Sequence, residues 1–112
     1  MKIGIDLVQI SSFEKHIKNI THEKVFTSDE LRQNKNIESL AGIFASKEAF
    51  FKALSVKDEW LNVWIEKEPS GQPIINSNLL SDNQKAQVSI SHDGDYVVAV
   101  VIVETGFPSS RE

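Results

Sequence analysis

The chain has 112 residues, 40% of them apolar, which suits one compact domain and not two. Its 12 Lys plus Arg against 16 Asp plus Glu leave a net charge of -4, which excludes a protein built mainly to coat nucleic acid, since phosphate binding needs excess positive charge. With no cysteine there is no disulfide scaffold, thiolate zinc site or cysteine nucleophile.

Residues 2–10 alternate, with Ile3, Ile5 and Leu7 on one face and Gly4, Asp6 and Val8 on the other. This predicts a strand that is apolar on both faces except at one aspartate. Ser11 or Ser12 can cap a short helix in which Phe13, Ile17 and Ile20 recur at helical spacing. Thr27-Ser28-Asp29-Glu30 fits a capping box, predicting a second short helix through about Gln33. The strongest helix spans about 39–54: it is rich in Ala, Leu, Lys and Glu and free of proline. Leu40, Phe44, Phe51 and Leu54 supply its core stripe, and Ala41, Ala45 and Ala49 allow close packing.

Beyond Ser55 the pattern changes to strands over about 60–67, 73–75, 87–91 and 96–103. Pro69-Ser70-Gly71-Gln72 reads as a turn, residues 77–84 stay ambiguous, and His92-Asp93-Gly94-Asp95 carries a hairpin signal. A strand, then helices, then a run of strands predicts an α+β domain over 1–104, with helices on a mainly antiparallel sheet. Thr105 onward, with Gly106, Pro108 and two serines, reads as a flexible tail over 105–112. No apolar run approaches the ~20 residues that cross a bilayer, and no signal-peptide core is present. A soluble cytoplasmic protein without a membrane or nucleic-acid partner is the expectation, and a modest core makes oligomerisation a natural way to bury more surface.

Three groups carry possible chemistry. A carboxylate in an apolar strand, Asp6, is costly unless it is paired locally or meets a cation. Glu48 and Lys52 lie four apart on one helical face, a spacing equally typical of solvent-side pairs. His92 continues the row of Val88 and Ile90 at a strand end, where a structural role competes with a catalytic one.

Taken together these segments resemble the holo-acyl-carrier-protein synthases, the small 4'-phosphopantetheinyl transferases. The resemblance rests on Ile3-Gly4-Ile5-Asp6-Leu7-Val8, on Val25-Phe26-Thr27-Ser28-Asp29-Glu30-Leu31 and on Phe44-Ala45-Ser46-Lys47-Glu48-Ala49-Phe50-Phe51-Lys52-Ala53. Gly71-Gln72-Pro73 and Ser89-Ile90-Ser91-His92-Asp93 are similar as well, so the match runs in order from about residue 2 to 104.

The resemblance implies transfer of the 4'-phosphopantetheine arm of coenzyme A to a serine of an apo acyl carrier protein, releasing adenosine 3',5'-bisphosphate. It implies Mg2+ held by Asp6 and Glu48, catalysis by Asp6, Glu48 and Lys52, and coenzyme A contacts from Lys47, Lys52, Ser91 and His92. Hard oxygen ligands and neutralised phosphate charge are what attack on a pyrophosphate needs. It also implies a homotrimer with sites between subunits. Three departures stand out: Ile43 where the family usually has arginine, Ser12 where it tends to have a basic residue, and no Gly-rich stretch after Leu54. They leave a second expectation, a weakened member that only binds coenzyme A or a carrier protein. Residues 15–35 carry five basic against three acidic side chains, and Lys15 and Lys18 can share a helix face suited to an acidic carrier.

Overall fold

The computed structural model describes residues 1–108. In chain order the elements are β1 (Lys2–Gln9), α1 (Ile10–Ile17), a 3-10 turn (His22–Lys24), α2 (Ser28–Gln33) and α3 (Ile37–Leu54). A second 3-10 turn (Trp60–Asn62) then leads into β2 (Val63–Lys67), β3 (Pro73–Ser77), β4 (Gln84–Asp93) and β5 (Tyr96–Thr105). The strands form an antiparallel three-stranded sheet in the order β1-β5-β4 and a separate β2-β3 hairpin. With helices packed against the sheet, this is the α+β domain expected from the pattern. No described helix is long and apolar enough to cross a membrane.

Helix α3 starts earlier than its composition suggests because Asn36 caps it, accepting a hydrogen bond from the Ser39 amide at 2.7 Å. It stops at Ser55, whose left-handed backbone (φ 55°) lets the Val56 amide return to the Phe51 carbonyl at 3.1 Å. Its buried surface is wider than the expected stripe: Ile43, Ala45, Ser46, Lys47, Ala49 and Phe50 are all enclosed, whereas Leu40, Phe44 and Leu54 are partly covered. The inner row of β5, Val97, Ala99, Val101 and Val103, meets this helix in the core.

Small residues bring α3 very close to β1. A Cβ built on Gly4 would lie 1.8 Å from the Ala49 carbonyl oxygen and 2.8 Å from the Ala53 amide nitrogen. Both obstacles are backbone, so no side chain can yield. Gly4→Ala is therefore expected to cost about 3 kcal/mol, the upper end for overpacking, read as a lower denaturation midpoint. A loss below ~0.5 kcal/mol would show that the helix is free to retreat.

Alternation along β1 puts Gly4, Asp6 and Val8 toward α3, as expected, but the opposite row is not covered within the chain. Ile3, Ile5 and Leu7 are 58%, 57% and 64% exposed. Their neighbours across the sheet are Ile102, Val100 and Val98, so an apolar face is left open.

The entry into α1 corrects the expected serine cap. Gln9 is the N-cap and makes no side-chain capping bond; Asp95, 84 residues beyond Ser11, serves instead. Its Oδ1 accepts from the Ser11 amide at 3.0 Å, its Oδ2 from the Ser11 hydroxyl, and its carbonyl from the Ile10 amide at 2.7 Å. Gly94, with φ 58°, makes the tight turn that presents Asp95. The capping box at Thr27 and Glu30 forms as expected. Of the expected tail, Thr105 closes β5, and the Gly106 and Phe107 amides bond to the Asn83 carbonyl at 3.0 and 3.1 Å. Residues 109–112 lie outside the described residues.

Candidate active site

The close seat of α3 on β1 brings the anomalous aspartate to the Glu48–Lys52 face of the helix. Lys52 Nζ donates to Asp6 Oδ1 at 2.9 Å and to the Ile5 carbonyl at 3.1 Å. The Asp6 side chain is 14% exposed and that of Lys52 54%, so the carboxylate is sheltered while the ammonium reaches solvent. A pair that sequence spacing alone cannot tell from a solvent-side pair thus faces a strand carboxylate.

Glu48 is half-buried beside them. Burial, then the negative charges of Asp58 and Asp6, push its carboxyl up to about 7, against the opposing pull of Lys52. A hydrogen bond to Asp58 also favours the protonated form of Glu48. Asp58 lies in the short loop after α3, and sequence reasoning did not single it out. Its one signal is position: the loop that replaces a Gly-rich stretch must fold back over the helix end. Excess negative charge is the property of this cluster that a cation would satisfy.

An open groove of about 390 Å3 runs beside the carboxylates, lined by Asp6, Ser12, Phe13, His16, Phe44 and Glu48. Phe44 stacks on Trp60, with centroids 5.0 Å apart, and meets Phe13 at a tilt, at 5.1 Å, which makes a firm apolar wall. Among the described residues no three or more His, Asp or Glu side chains converge so as to hold a metal by themselves. An ion here would need further ligands from outside these side chains.

The other candidates lie elsewhere. His92, at the end of β4, has Nε2 3.3 Å from Glu38 of α3 and borders a second cavity of about 340 Å3. Ser91 alternates to the open sheet face, beside Leu7, Tyr96 and Val98. Within one chain neither joins the Asp6 cluster.

Lys47 departs furthest from expectation. It is fully buried, and its ammonium donates to Glu30 Oε1 at 2.7 Å and to the Val25 and Trp60 carbonyls at 2.8 and 2.9 Å. All three ammonium hydrogens are taken, leaving none for a phosphate. Burial draws its value below that of an ordinary lysine, with the charge of Glu30 acting the other way. The neighbouring Glu48 and Lys47 of one motif thus point into different surroundings, one to the site and one to the core.

With this geometry in place, the likenesses to known proteins are specific. Residues 2–101 match the model of the 4'-phosphopantetheinyl transferase superfamily. A holo-[acyl-carrier-protein] synthase of Campylobacter fetus subsp. fetus is 37% identical over 113 residues, covering 91% of this chain and 98% of that relative. The synthase of Nautilia profundicola is 33% identical over 110 residues, covering 90% and 97%. The crystal structure of Helicobacter pylori holo-[acyl-carrier-protein] synthase in complex with coenzyme A superposes with a TM-score of 0.81 at 32% identity, covering 91% of this chain and 99% of that one.

Proposed function

This chain belongs to the 4'-phosphopantetheinyl transferase superfamily, and from that premise we propose that it is a holo-acyl-carrier-protein synthase. It transfers the 4'-phosphopantetheine arm of coenzyme A to a serine of an apo acyl carrier protein. The observation that carries this reading is the meeting of Asp6 and Glu48 in one open groove, with Lys52 bonded to Asp6 beside it.

The serine hydroxyl oxygen attacks the phosphorus that bears the pantetheine arm. A new P–O bond forms as the pyrophosphate P–O bond breaks, and adenosine 3',5'-bisphosphate departs. The donor set fits Mg2+, because sheltered carboxylate oxygens crowded with negative charge favour a hard cation. Asp6 and Glu48 would hold the ion, which when bound neutralises phosphate charge. Lys52, anchored on Asp6 and the Ile5 carbonyl yet reaching solvent, can donate to a phosphate oxygen, while water in the open groove takes the hydroxyl proton. His92 and Ser91 serve coenzyme A; Lys47, with its hydrogens occupied, leaves that set. The test is incubation with coenzyme A, Mg2+ and an apo carrier protein, with and without chelator. A mass gain of one phosphopantetheine arm, lost with chelator, is expected. Coenzyme A binding without any mass gain would instead identify a binding module.

The working unit is a homotrimer in the cytoplasm, serving lipid synthesis, in which neighbouring subunits complete each site. The open row of Ile3, Ile5 and Leu7 supports assembly, since a contiguous apolar sheet face marks an interface. Sedimentation at assay concentration is expected to give three chains; an active monomer would refute this.

The carrier docks along α1. Ser12, Phe13 and His16 of that helix line the groove, and Lys15 and Lys18 are exposed beside it. Reversing Lys15 and Lys18 to glutamate is expected to raise the KM for carrier through slower association, leaving that for coenzyme A unmoved. Salt should bring the wild type toward the variant. Unchanged carrier kinetics in the variant would exclude this surface.

A further inference from the structure

Helix α1 supplies Ser12, Phe13 and His16 to the groove, yet its own N-cap does not hold its start in place. The helix has eight residues, too few to stand alone in water, and Gln9 gives it no side-chain cap. Its first turn is instead gripped from the hairpin between β4 and β5. Asp95 Oδ1 accepts from the Ser11 amide at 3.0 Å and Oδ2 from the Ser11 hydroxyl, while the Asp95 carbonyl accepts from the Ile10 amide at 2.7 Å. The carboxylate thus sits at the N-terminal end of the helix, where negative charge is favoured. One residue on, the Tyr96 hydroxyl accepts from Gln9 Nε2 at 3.4 Å, and Gln9 Oε1 accepts from the Ser12 hydroxyl at 2.6 Å. The hairpin that carries both grips is closed by pairing of Asp93 with Tyr96 and of His92 with Val97.

Ser12 and Phe13 belong to that gripped turn and line the groove that also holds Asp6 and Glu48, so the grip sets where an approaching carrier meets the carboxylates. Resting on the carrier docking proposed above, we infer that Asp95 is a positioning residue for the carrier: it touches no reactant and keeps the first turn of α1 wound in the form that docks. The physical basis is a population. Without the carboxylate both side-chain bonds are lost, and loss of a helix cap weakens a first turn on the order of fivefold. Affinity for a partner that needs the wound turn falls with the wound fraction. Once the carrier is bound the turn is wound again, so the chemical step keeps its rate. Coenzyme A does not depend on this grip, because His92 is held separately by Glu38 at 3.3 Å. Lys15, in the last turn, and Lys18, at the C-cap, keep their charges, so the salt dependence of docking stays that of wild type.

The experiment measures transfer from coenzyme A to an apo acyl carrier protein by wild type, Asp95→Ala, Asp95→Asn and Ser11→Ala, with amide hydrogen exchange on each protein. Asp95→Ala is expected to raise the KM for carrier about fivefold, to keep kcat and the KM for coenzyme A within about twofold of wild type, and to speed exchange at the Ser11 amide. Asp95→Asn is expected to stay close to wild type, since its Oδ1 still accepts from the amide and the Ser11 hydroxyl can turn to accept from Nδ2. Ser11→Ala gives up only the hydroxyl bond and is expected to raise the carrier KM about two- to threefold. A wild-type carrier KM in Asp95→Ala overturns the role of Asp95 and leaves the transferase reading standing; if that variant does not fold, a wild-type carrier KM in Ser11→Ala does the same. Asp95→Asn as impaired as Asp95→Ala also overturns it, since charge rather than the cap is then at work. Equal losses toward carrier and coenzyme A overturn it as a general defect. Wild type that transfers nothing overturns the transferase reading and this inference together.

Discussion

Glu48→Gln and Asp6→Ala are each expected to lower phosphopantetheine transfer by roughly 100- to 1,000-fold or more, the scale on which one preorganised charge counts in a reaction of developing phosphate charge. The fold is expected to survive, which makes the loss informative. Glu48 costs the folded state when ionised: its carboxyl is raised from 4.5 to about 7 by burial and by Asp58 and Asp6. A raised carboxyl favours folding while it keeps its proton, and that advantage is lost as pH climbs from the ordinary carboxylate value through about 7. A glutamine in its place has nothing to lose. Glu48→Gln should therefore match wild type in denaturation near pH 4 and exceed it near pH 8. Asp6→Ala removes the partner of a half-exposed lysine, a small loss, and a negative neighbour of Glu48, a small gain. Activity within a few-fold of wild type in either variant would end the assignment of these carboxylates.

The largest effect on stability is expected at the other charged residue of the same helix turn. Lys47 and Glu30 form an ion pair with 0% and 1% of their side chains exposed. Glu30 is held on every side: its Oε1 also accepts from the Thr27 amide at 2.8 Å, and its Oε2 from the Ile65 amide at 2.8 Å. Lys47 adds the Val25 and Trp60 carbonyls. The pair therefore joins the start of α2, the middle of α3 and the entry to β2. Lys47→Met leaves a buried carboxylate without its counter-charge and is expected to cost about 3–5 kcal/mol, much of the margin of a domain this size. Combining it with Glu30→Gln should recover part of that loss, because no uncompensated charge remains. Guanidinium melts of wild type, Lys47→Met, Glu30→Gln and the double variant test this. A single-variant cost below ~1 kcal/mol would mean that water reaches the pair.

The elements whose signals are local were legible in the sequence. The period-two alternation of β1, the capping box before α2, the alanine-rich α3 and the Gly94 hairpin each depend on neighbours within a few residues. Asp6 stood out because a carboxylate in an apolar strand demands a partner. What escaped depends on distant contacts. Lys47 in a run of good helix formers looks like any solvated lysine, and its partner Glu30 lies 17 residues earlier. The cap of α1 comes from the last hairpin. Asp58 sits in the loop that follows α3 and meets Glu48 only once that loop is folded.

One consequence follows from the two faces of β1. Eight residues carry both Asp6, turned toward the helix, and the apolar row of Ile3, Ile5 and Leu7, turned outward. Gly4, which admits the helix, shares the frame of Asp6. The strand is thus written in two interleaved reading frames, one chemical and one adhesive, with no spacer between them. Inserting a single residue after Gly4 would swing the carboxylate outward into the apolar face and drive isoleucine against the backbone of α3. Substitutions can tune either frame alone, but a change of length cannot.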